Sequence, residues 1–465
     1  MGVPAASPGS DPVELLVDRL AAGGRGVARA GGLVWFLPGG LPGDRVRATA
    51  VLRRPSYVEG RIVEVLAWSA DRRPPPCPLQ PRCGGCPWMG LEEADQRRWK
   101  RALVEDALRR IGRSAVEVEE VRASPLALGY RNKLELTLGR GADGRPAVGF
   151  HPQDESAGGL VDVDRCQVQT DPANAVLATA REFLLSRSAD WAGAAERARD
   201  PYRLVIRAST LTGQVLVAIR EVAGAFPLAE RLAERLRERH ADLAGVVRIR
   251  ALSGRRGRGR TLPLVGRPWI EERVGGTTFR LPAATFLQVN PQAAELLLES
   301  VREAAGRVSE QEVIDLYGGV GLFGIALARE GARVSVCDAD PVAVDCGRHA
   351  ARAAGARRVA FHRADVTEFL RGRPVTAASV DLVVANPPRR GLGRHVPPLV
   401  AGLAPQRIIL VSCDPATLAR DAQRLARAGF TPERAIPVDL FPQTAHVETV
   451  LSLVRNRLGP TAAPA

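Results

Sequence analysis

The chain has 465 residues, 45% of them hydrophobic, and a formal net charge of +14. At roughly 100–200 residues per domain, that length carries several domains, each able to bury a core. No apolar run is long enough to span a membrane, no basic start precedes an apolar stretch as in a secretory signal, and seven unevenly spaced cysteines argue against a disulfide framework.

A cytoplasmic protein is expected. Lys100 and Lys133 are the lysines, so arginine carries the positive charge. Such a surface attracts nucleic-acid phosphates, although an Ala-, Arg-, Gly- and Pro-rich composition also produces it. Residues 1–11 and 458–465 are rich in Pro, Ala and Gly and read as disordered tails.

From 12 to 72, short β-rich runs such as Val34-Trp35-Phe36-Leu37 and Val46-Arg47-Ala48-Thr49-Ala50-Val51 alternate with glycine turns. The spacing predicts a small antiparallel barrel. Gly23-Gly24-Arg25-Gly26-Val27-Ala28-Arg29 and Leu41-Pro42-Gly43-Asp44-Arg45-Val46 resemble a TRAM domain, an OB-like RNA-binding module. Asp71-Arg72-Arg73-Pro74-Pro75-Pro76 reads as a stiff linker.

The next block, 73–285, reads as a central α+β domain. It opens on Cys77-Pro78-Leu79-Gln80-Pro81-Arg82-Cys83-Gly84-Gly85-Cys86. Three thiols this close converge on one centre, and Cys166 is the next cysteine. Four cysteines suit tetrahedral zinc or a [4Fe–4S] cluster; the three-plus-one spacing favours the cluster over paired zinc knuckles, and free thiols are the remaining reading. Residues 91–111 form an amphipathic pattern with Trp99, Leu103, Ala107, Leu108 and Ile111 on one stripe, ended by Gly112. This helix is expected to pack on the catalytic domain. Strand-like runs follow at 130–138, 148–151, 204–207 and 215–219, with a helix near 226–238. Between 246 and 267 lie seven arginines and no acid, either an RNA contact or a solvated insertion.

From 286 to 457 the pattern becomes strand–turn–helix. Val313-Ile314-Asp315-Leu316-Tyr317-Gly318-Gly319-Val320-Gly321 is a strand running into a glycine turn that lets backbone approach a ligand. Val334-Ser335-Val336-Cys337-Asp338 ends in an acid suited to ribose hydroxyls. Further strands end at Asp365, at Asn386-Pro387-Pro388-Arg389 and at Cys413. The run Ile408-Ile409-Leu410-Val411-Ser412 before Cys413 reads as a strand buried on both faces of a parallel sheet. Ligands sit beyond the carboxyl ends of such strands, so Cys413 is either an attacking thiolate or a buried apolar thiol.

Taken together, Cys77/Cys83/Cys86/Cys166, Phe286-Leu287-Gln288-Val289-Asn290, Asp315-Leu316-Tyr317, Ser412-Cys413-Asp414-Pro415 and Gln443-Thr444-Ala445-His446-Val447-Glu448 resemble the RNA 5-methyluridine (uracil-C5) methyltransferases. The resemblance spans nearly the whole chain. It implies a Rossmann-like α/β methyltransferase domain of class I behind the β-barrel and the α+β domain, acting as a monomer. It also implies S-adenosylmethionine as methyl donor, a [4Fe–4S] cluster on the four cysteines, and a uridine in structured RNA, ribosomal before transfer RNA, as substrate. Gln288, Tyr317, Asp338, Asp365 and Asn386, with Gly318 in the turn, would contact the donor; Cys413 would be the nucleophile and Glu448 the base. Arg389 is a candidate to favour the thiolate.

Two departures stand out: Asn386 replaces the family's usual Asp, and Leu322 stands where a small polar residue is usual. The cysteine set is far from the methyl-transfer motifs in sequence, so its expected role is to shape the RNA-binding domain. Two other readings are an amino-group nucleic-acid methyltransferase, which would leave Cys413 and Glu448 unexplained, and a non-catalytic RNA-binding redox sensor.

Overall fold

The computed structural model describes residues 11–154, 158–193, 202–221, 224–251, 259–372 and 380–456. The expected tails, apart from Asp11, and most of the arginine-rich loop lie outside these residues.

Six strands form the first sheet: β1 (Val13–Leu16), β2 (Arg19–Leu20), β3 (Gly26–Ala30), β4 (Leu33–Leu37), β5 (Arg45–Arg53) and β6 (Tyr57–Ala67), in the order β1-β5-β6-β4-β3-β2. Neighbours are antiparallel except β4 and β6, so the expected barrel has one parallel seam. Register shifts bend the long β5–β6 pair, and Leu15, Ala28, Trp35, Leu37, Val46 and Val58 meet in one core. The proline-rich linker is bolted to this barrel. Arg72 makes paired hydrogen bonds of 2.8 and 2.7 Å to the buried Asp44 carboxylate and lies over the Trp68 ring.

Helix α1 (Glu93–Arg110) follows. Its buried face is Gln96, Lys100, Val104, Ala107 and Leu108, while Ile111 is 41% exposed. The expected stripe is thus rotated, because two polar side chains have partners late in the chain.

The second sheet comprises β7 (Lys133–Arg140), β8 (Pro146–Phe150), β9 (Val161–Asp162), β10 (Tyr202–Ala208), β11 (Val215–Glu221), β12 (Leu243–Ala251) and β13 (Gly259–Gly266), in the order β13-β12-β11-β10-β7-β8-β9. Alternation gives it two apolar faces. Leu134, Leu136, Leu204 and Ile206 pack with α2 (Asp171–Ser186) and α3 (Ala229–Arg239). Val205, Leu216, Ala218 and Val247 point the other way and join the core beneath the third sheet. A hairpin, β14 (Trp269–Val274) and β15 (Thr277–Pro282), turns at Gly275-Gly276, both at positive φ as a tight two-residue turn requires.

The third sheet holds β16 (Glu312–Leu316), β17 (Arg333–Asp338), β18 (Val359–Arg363), β19 (Leu382–Ala385), β20 (Arg407–Ser412), β21 (Phe430–Val438) and β22 (Glu448–Arg455), in the order β18-β17-β16-β19-β20-β22-β21. The first five are parallel, and β22 is antiparallel to β20 and β21. Helices α4 (Pro291–Ala305), α5 (Leu322–Arg329), α6 (Pro341–Ala353), α7 (Val366–Arg371), α8 (Val396–Gly402) and α9 (Pro415–Arg427) accompany it. This is the expected Rossmann-like α/β sheet. Strand order reverses between β16 and β19, where such sheets open a crevice for ligands. Helix α1 packs against α9 and β21. Among the described residues, no helix is long and apolar enough to cross a membrane.

Candidate active site

A cavity of about 870 Å³ opens at the carboxyl ends of β16, β17, β19 and β20. Its first wall is the glycine turn after β16. Tyr317 takes a left-handed φ of 57°, as do Gly319 at 56° and Gly321 at 81°. A Cβ on Gly318 would lie 2.5 Å from Val336 and 2.9 Å from Asp315, so only glycine fits there. Beneath the turn, the fully buried Asp315 accepts from the Gly324 N–H at 2.9 Å, and burial pushes its carboxyl up to about 7. The Asp338 carboxylate accepts from the N–H groups of Gly319 at 2.9 Å and Asp340 at 2.8 Å. The turn therefore fixes this acid in place.

Gln288, Tyr317, Gly318, Asp338 and Asn386 all line the cavity, and so does Leu322. Asp365 stands outside the lining. It is exposed and caps α7 by accepting from the Thr367 N–H at 2.8 Å. Its charge still reaches the Tyr317 phenol, which burial and then Asp365 raise to about 12.

The cavity is also lined by Cys413 and Glu448. The β20–β22 ladder ends with Ser412 facing Thr449; Cys413 follows Ser412, and Glu448 precedes Thr449. Glu448 is 4% exposed, and its Oε2 has no hydrogen-bond partner. Burial lifts its carboxyl to about 7, opposed by Arg389. Burial, then the Glu448 charge, raise the Cys413 thiol; Arg389 lowers it. The help expected from Arg389 is present, but burial and Glu448 outweigh it. An ionised Glu448 therefore disfavours ionising Cys413.

His446 lies in the Gln443–Glu448 motif, for which the resemblance implies no role at this position. Burial pulls its pKa down to about 4, so it is neutral near pH 7. Its Nε2 can therefore accept from Arg389 Nη2 at 3.3 Å. The signal for it was its position two residues before Glu448.

Cys77, Cys83, Cys86 and Cys166 line the same cavity as Cys413. The distance in sequence between the two sets is not a distance in space. Met89, Tyr130 and Val168 pack among Cys77, Cys86 and Cys166. Burial raises the thiols of Cys83, Cys86 and Cys166, the last to about 11, and neighbouring cysteines add to the rise. The backbone at Gly85 and Val168 opposes this rise at Cys83 and Cys166. Among the described residues, no three His, Cys, Asp or Glu side chains converge in a geometry that could hold a metal ion.

Two further residues hold the site through contacts that their sequence neighbourhood does not reveal. Lys100 Nζ, fully buried on α1, lies 2.5 Å from the buried Asp439 carboxylate. Gln443, fully buried, exchanges amide hydrogen bonds with Gln96 at 2.9 and 2.7 Å. Both pairs join residues more than 300 positions apart, so no local pattern announces them.

Residues 267–456 match the family model for tRNA (Uracil-5-)-methyltransferase, and residues 12–63 match the TRAM domain. The chain is 36% identical over 458 residues to an uncharacterised RNA methyltransferase of Gloeobacter violaceus, covering 96% of each chain. It is 35% identical over 460 residues to a similarly named protein of Nitratidesulfovibrio vulgaris, covering 97% of each. Among solved structures, it is similar to the Pyrococcus abyssi tRNA (uracil-54, C5)-methyltransferase in complex with S-adenosyl-L-homocysteine. That likeness has a TM-score of 0.72 and 25% identity, and covers 95% of this chain and 100% of the other.

Proposed function

The chain belongs to the S-adenosylmethionine-dependent RNA (uracil-5-)-methyltransferase family, and on that premise we propose that it methylates C5 of a uridine in structured RNA through a covalent adduct between Cys413 and C6. The observation that carries this reading is that Cys413, just past the end of β20, and Glu448, the first residue of β22, line a single cavity, with Glu448 Oε2 unpartnered.

C5 of uridine is a weak nucleophile toward a sulfonium methyl. Cys413 Sγ, as thiolate, forms a bond to C6, and the electron pair passes to C5 as an enolate. C5 then takes the methyl group, and S-adenosylhomocysteine departs. Glu448 accepts the proton remaining on C5. The returning electron pair expels Cys413 and restores the ring. Burial raises the Cys413 thiol and Arg389 lowers it, so the thiol proton passes to solvent before attack, with Arg389 favouring the thiolate. Gln288, Tyr317, Gly318, Asp338 and Asn386 would hold the methyl donor, with Asp338 on the ribose hydroxyls. Asp365, outside the cavity lining, would act from the rim through Tyr317.

Cys77, Cys83, Cys86 and Cys166 fit a [4Fe–4S] cluster by donor type. A single zinc draws its ligands to one point at about 2.3 Å, whereas a four-iron cluster spreads one thiolate to each iron. Bound there, it would supply a rigid crosslink between the 77–86 segment and Cys166.

The RNA would enter past a basic rim. Arg131 and Arg389 line the cavity and would meet the phosphates there. The target uridine must leave its stack to reach Cys413. We divide the chain into the barrel at 12–72, the RNA-binding part at 73–285 and the catalytic part at 286–457, and place the protein in the cytoplasm as a monomer. Ribosomal RNA is the first target to assay. Transfer RNA is the second reading, favoured by the tRNA enzyme of similar structure. A nucleoside map of RNA from cells lacking the protein tests both: one 5-methyluridine should vanish from one RNA, and an unchanged map would overturn the proposal.

A further inference from the structure

Residues 439–446 form a strap between β21 and β22 that ends beside Glu448. Four consecutive carbonyls of this strap accept hydrogen bonds from four different parts of the chain. Leu440 O accepts from Asn290 Nδ2 at 3.1 Å, and Phe441 O from Lys100 Nζ at 3.0 Å. Pro442 O accepts from the Tyr130 hydroxyl at 3.0 Å, and Gln443 O from the Trp88 N–H at 3.0 Å. Gln443 itself sits at a left-handed φ of 71°, which a non-glycine residue keeps only when its surroundings impose it.

Two of these donors belong to the segments that carry the cysteines. Trp88 lies two residues after Cys86, in a turn closed by the Met89 N–H to the Cys86 carbonyl at 3.2 Å. Tyr130 packs among Cys77, Cys86 and Cys166. The backbone on either side of it is bonded to the stretch after Cys166, Gly129 N–H to Gln167 O at 3.0 Å and Arg131 N–H to Val168 O at 2.8 Å. Whatever joins the four cysteines therefore fixes two of the four donors that hold the strap.

We infer that Tyr130 is a positioning residue through which the four-cysteine centre holds the 439–446 strap and so aims Glu448 at the substrate. The cysteine centre then acts on catalysis without touching the reacting atoms. This rests on the reading of Glu448 as the proton acceptor, but the motion of the strap can be measured without it.

The test is hydrogen exchange of the full-length protein, with peptides covering 439–446, for Tyr130→Phe and Cys166→Ser beside the wild type. Tyr130→Phe keeps the ring among the cysteines and removes only the hydroxyl. Its iron content should be unchanged, while strap exchange rises on the order of tenfold. With S-adenosylmethionine and RNA, its kcat should fall on the order of tenfold at unchanged KM for either substrate. Cys166→Ser should loosen the same strap, with β16 peptides as the control for global unfolding; Cys83→Ser replaces it if that variant does not fold. Unchanged strap exchange in the folded cysteine variant would overturn the coupling. A loosened strap in the cysteine variant with a rigid one in Tyr130→Phe would remove Tyr130 from it. A loosened strap with wild-type kcat would show that the strap does not aim Glu448. Loss of 5-methyluridine formation as such would bear on the proposed function alone, because exchange is read without turnover.

Discussion

Glu448→Gln should stabilise the protein at alkaline pH while impairing its activity. The Glu448 carboxyl is buried, one oxygen has no partner, and its pKa rises from the ordinary 4.5 to about 7. A group whose pKa is raised in the fold binds its proton more tightly folded than unfolded. Its contribution to stability is therefore full below pH 4.5, declines as pH rises, and is lost above about 7. At roughly 1.4 kcal/mol per pH unit, ionising this carboxyl inside the fold costs about 3 kcal/mol. Glutamine, of equal size and without charge, escapes the penalty. Thermal melts from pH 4.5 to 8.5 should show the variant's midpoint close to wild type at the acid end and higher at the alkaline end. For a unit of this size, roughly 2–4 °C per kcal/mol is expected. A constant difference across the range would refute the argument, since it would mean that Glu448 titrates no differently in the fold.

Asp338→Ala should weaken S-adenosylmethionine binding by about 2 kcal/mol, roughly thirtyfold, read by calorimetry; unchanged affinity would remove Asp338 from the site. Protein purified without oxygen should carry about four irons per chain and Cys166→Ser should lose them, whereas stoichiometric zinc without iron would contradict the cluster. Lys100→Met strands the Asp439 carboxylate, both partners being buried, and should destabilise the protein by about 3–5 kcal/mol in denaturant melts. Lys100→Met with Asp439→Leu should recover most of that loss; a double variant as unstable as the single would show that the ion pair is not the cause.

The catalytic sheet was legible because its signals are local. The apolar run ending at Cys413 falls in β20 as read, and the acid closing β17 is Asp338. Strands β4 and β5 of the barrel were legible too, but its short β2, its β3 and its parallel seam were not, since β4 and β6 pair across the intervening β5. Helix α2 escaped notice although Asp171-Pro172 opens it and Ala173, Val176, Leu177, Ala180 and Leu184 repeat at helical spacing on its buried side. Its sequence carried the signal. The face of α1 did not: Lys100 and Gln96 read as solvent-facing until Asp439 and Gln443 arrive from the far end of the chain. The same holds for the site. The position of Cys413 was readable from its strand end and Glu448 from the family resemblance, but the burial that raises both groups, the neutral His446 beside Arg389, and the four cysteines on the same cavity depend on tertiary contacts.

The central claim is that Cys413 attacks C6 and Glu448 removes the C5 proton after methyl transfer. A denaturing gel with methyl-labelled S-adenosylmethionine and substrate RNA separates the two roles, with melts confirming that each variant is folded. Cys413→Ala should give neither methylated RNA nor a covalent adduct, because C5 is never activated. Glu448→Gln should still attack and methylate, then stall before elimination, so that a labelled RNA–protein band accumulates. Methylation of RNA by well-folded Cys413→Ala would contradict the account.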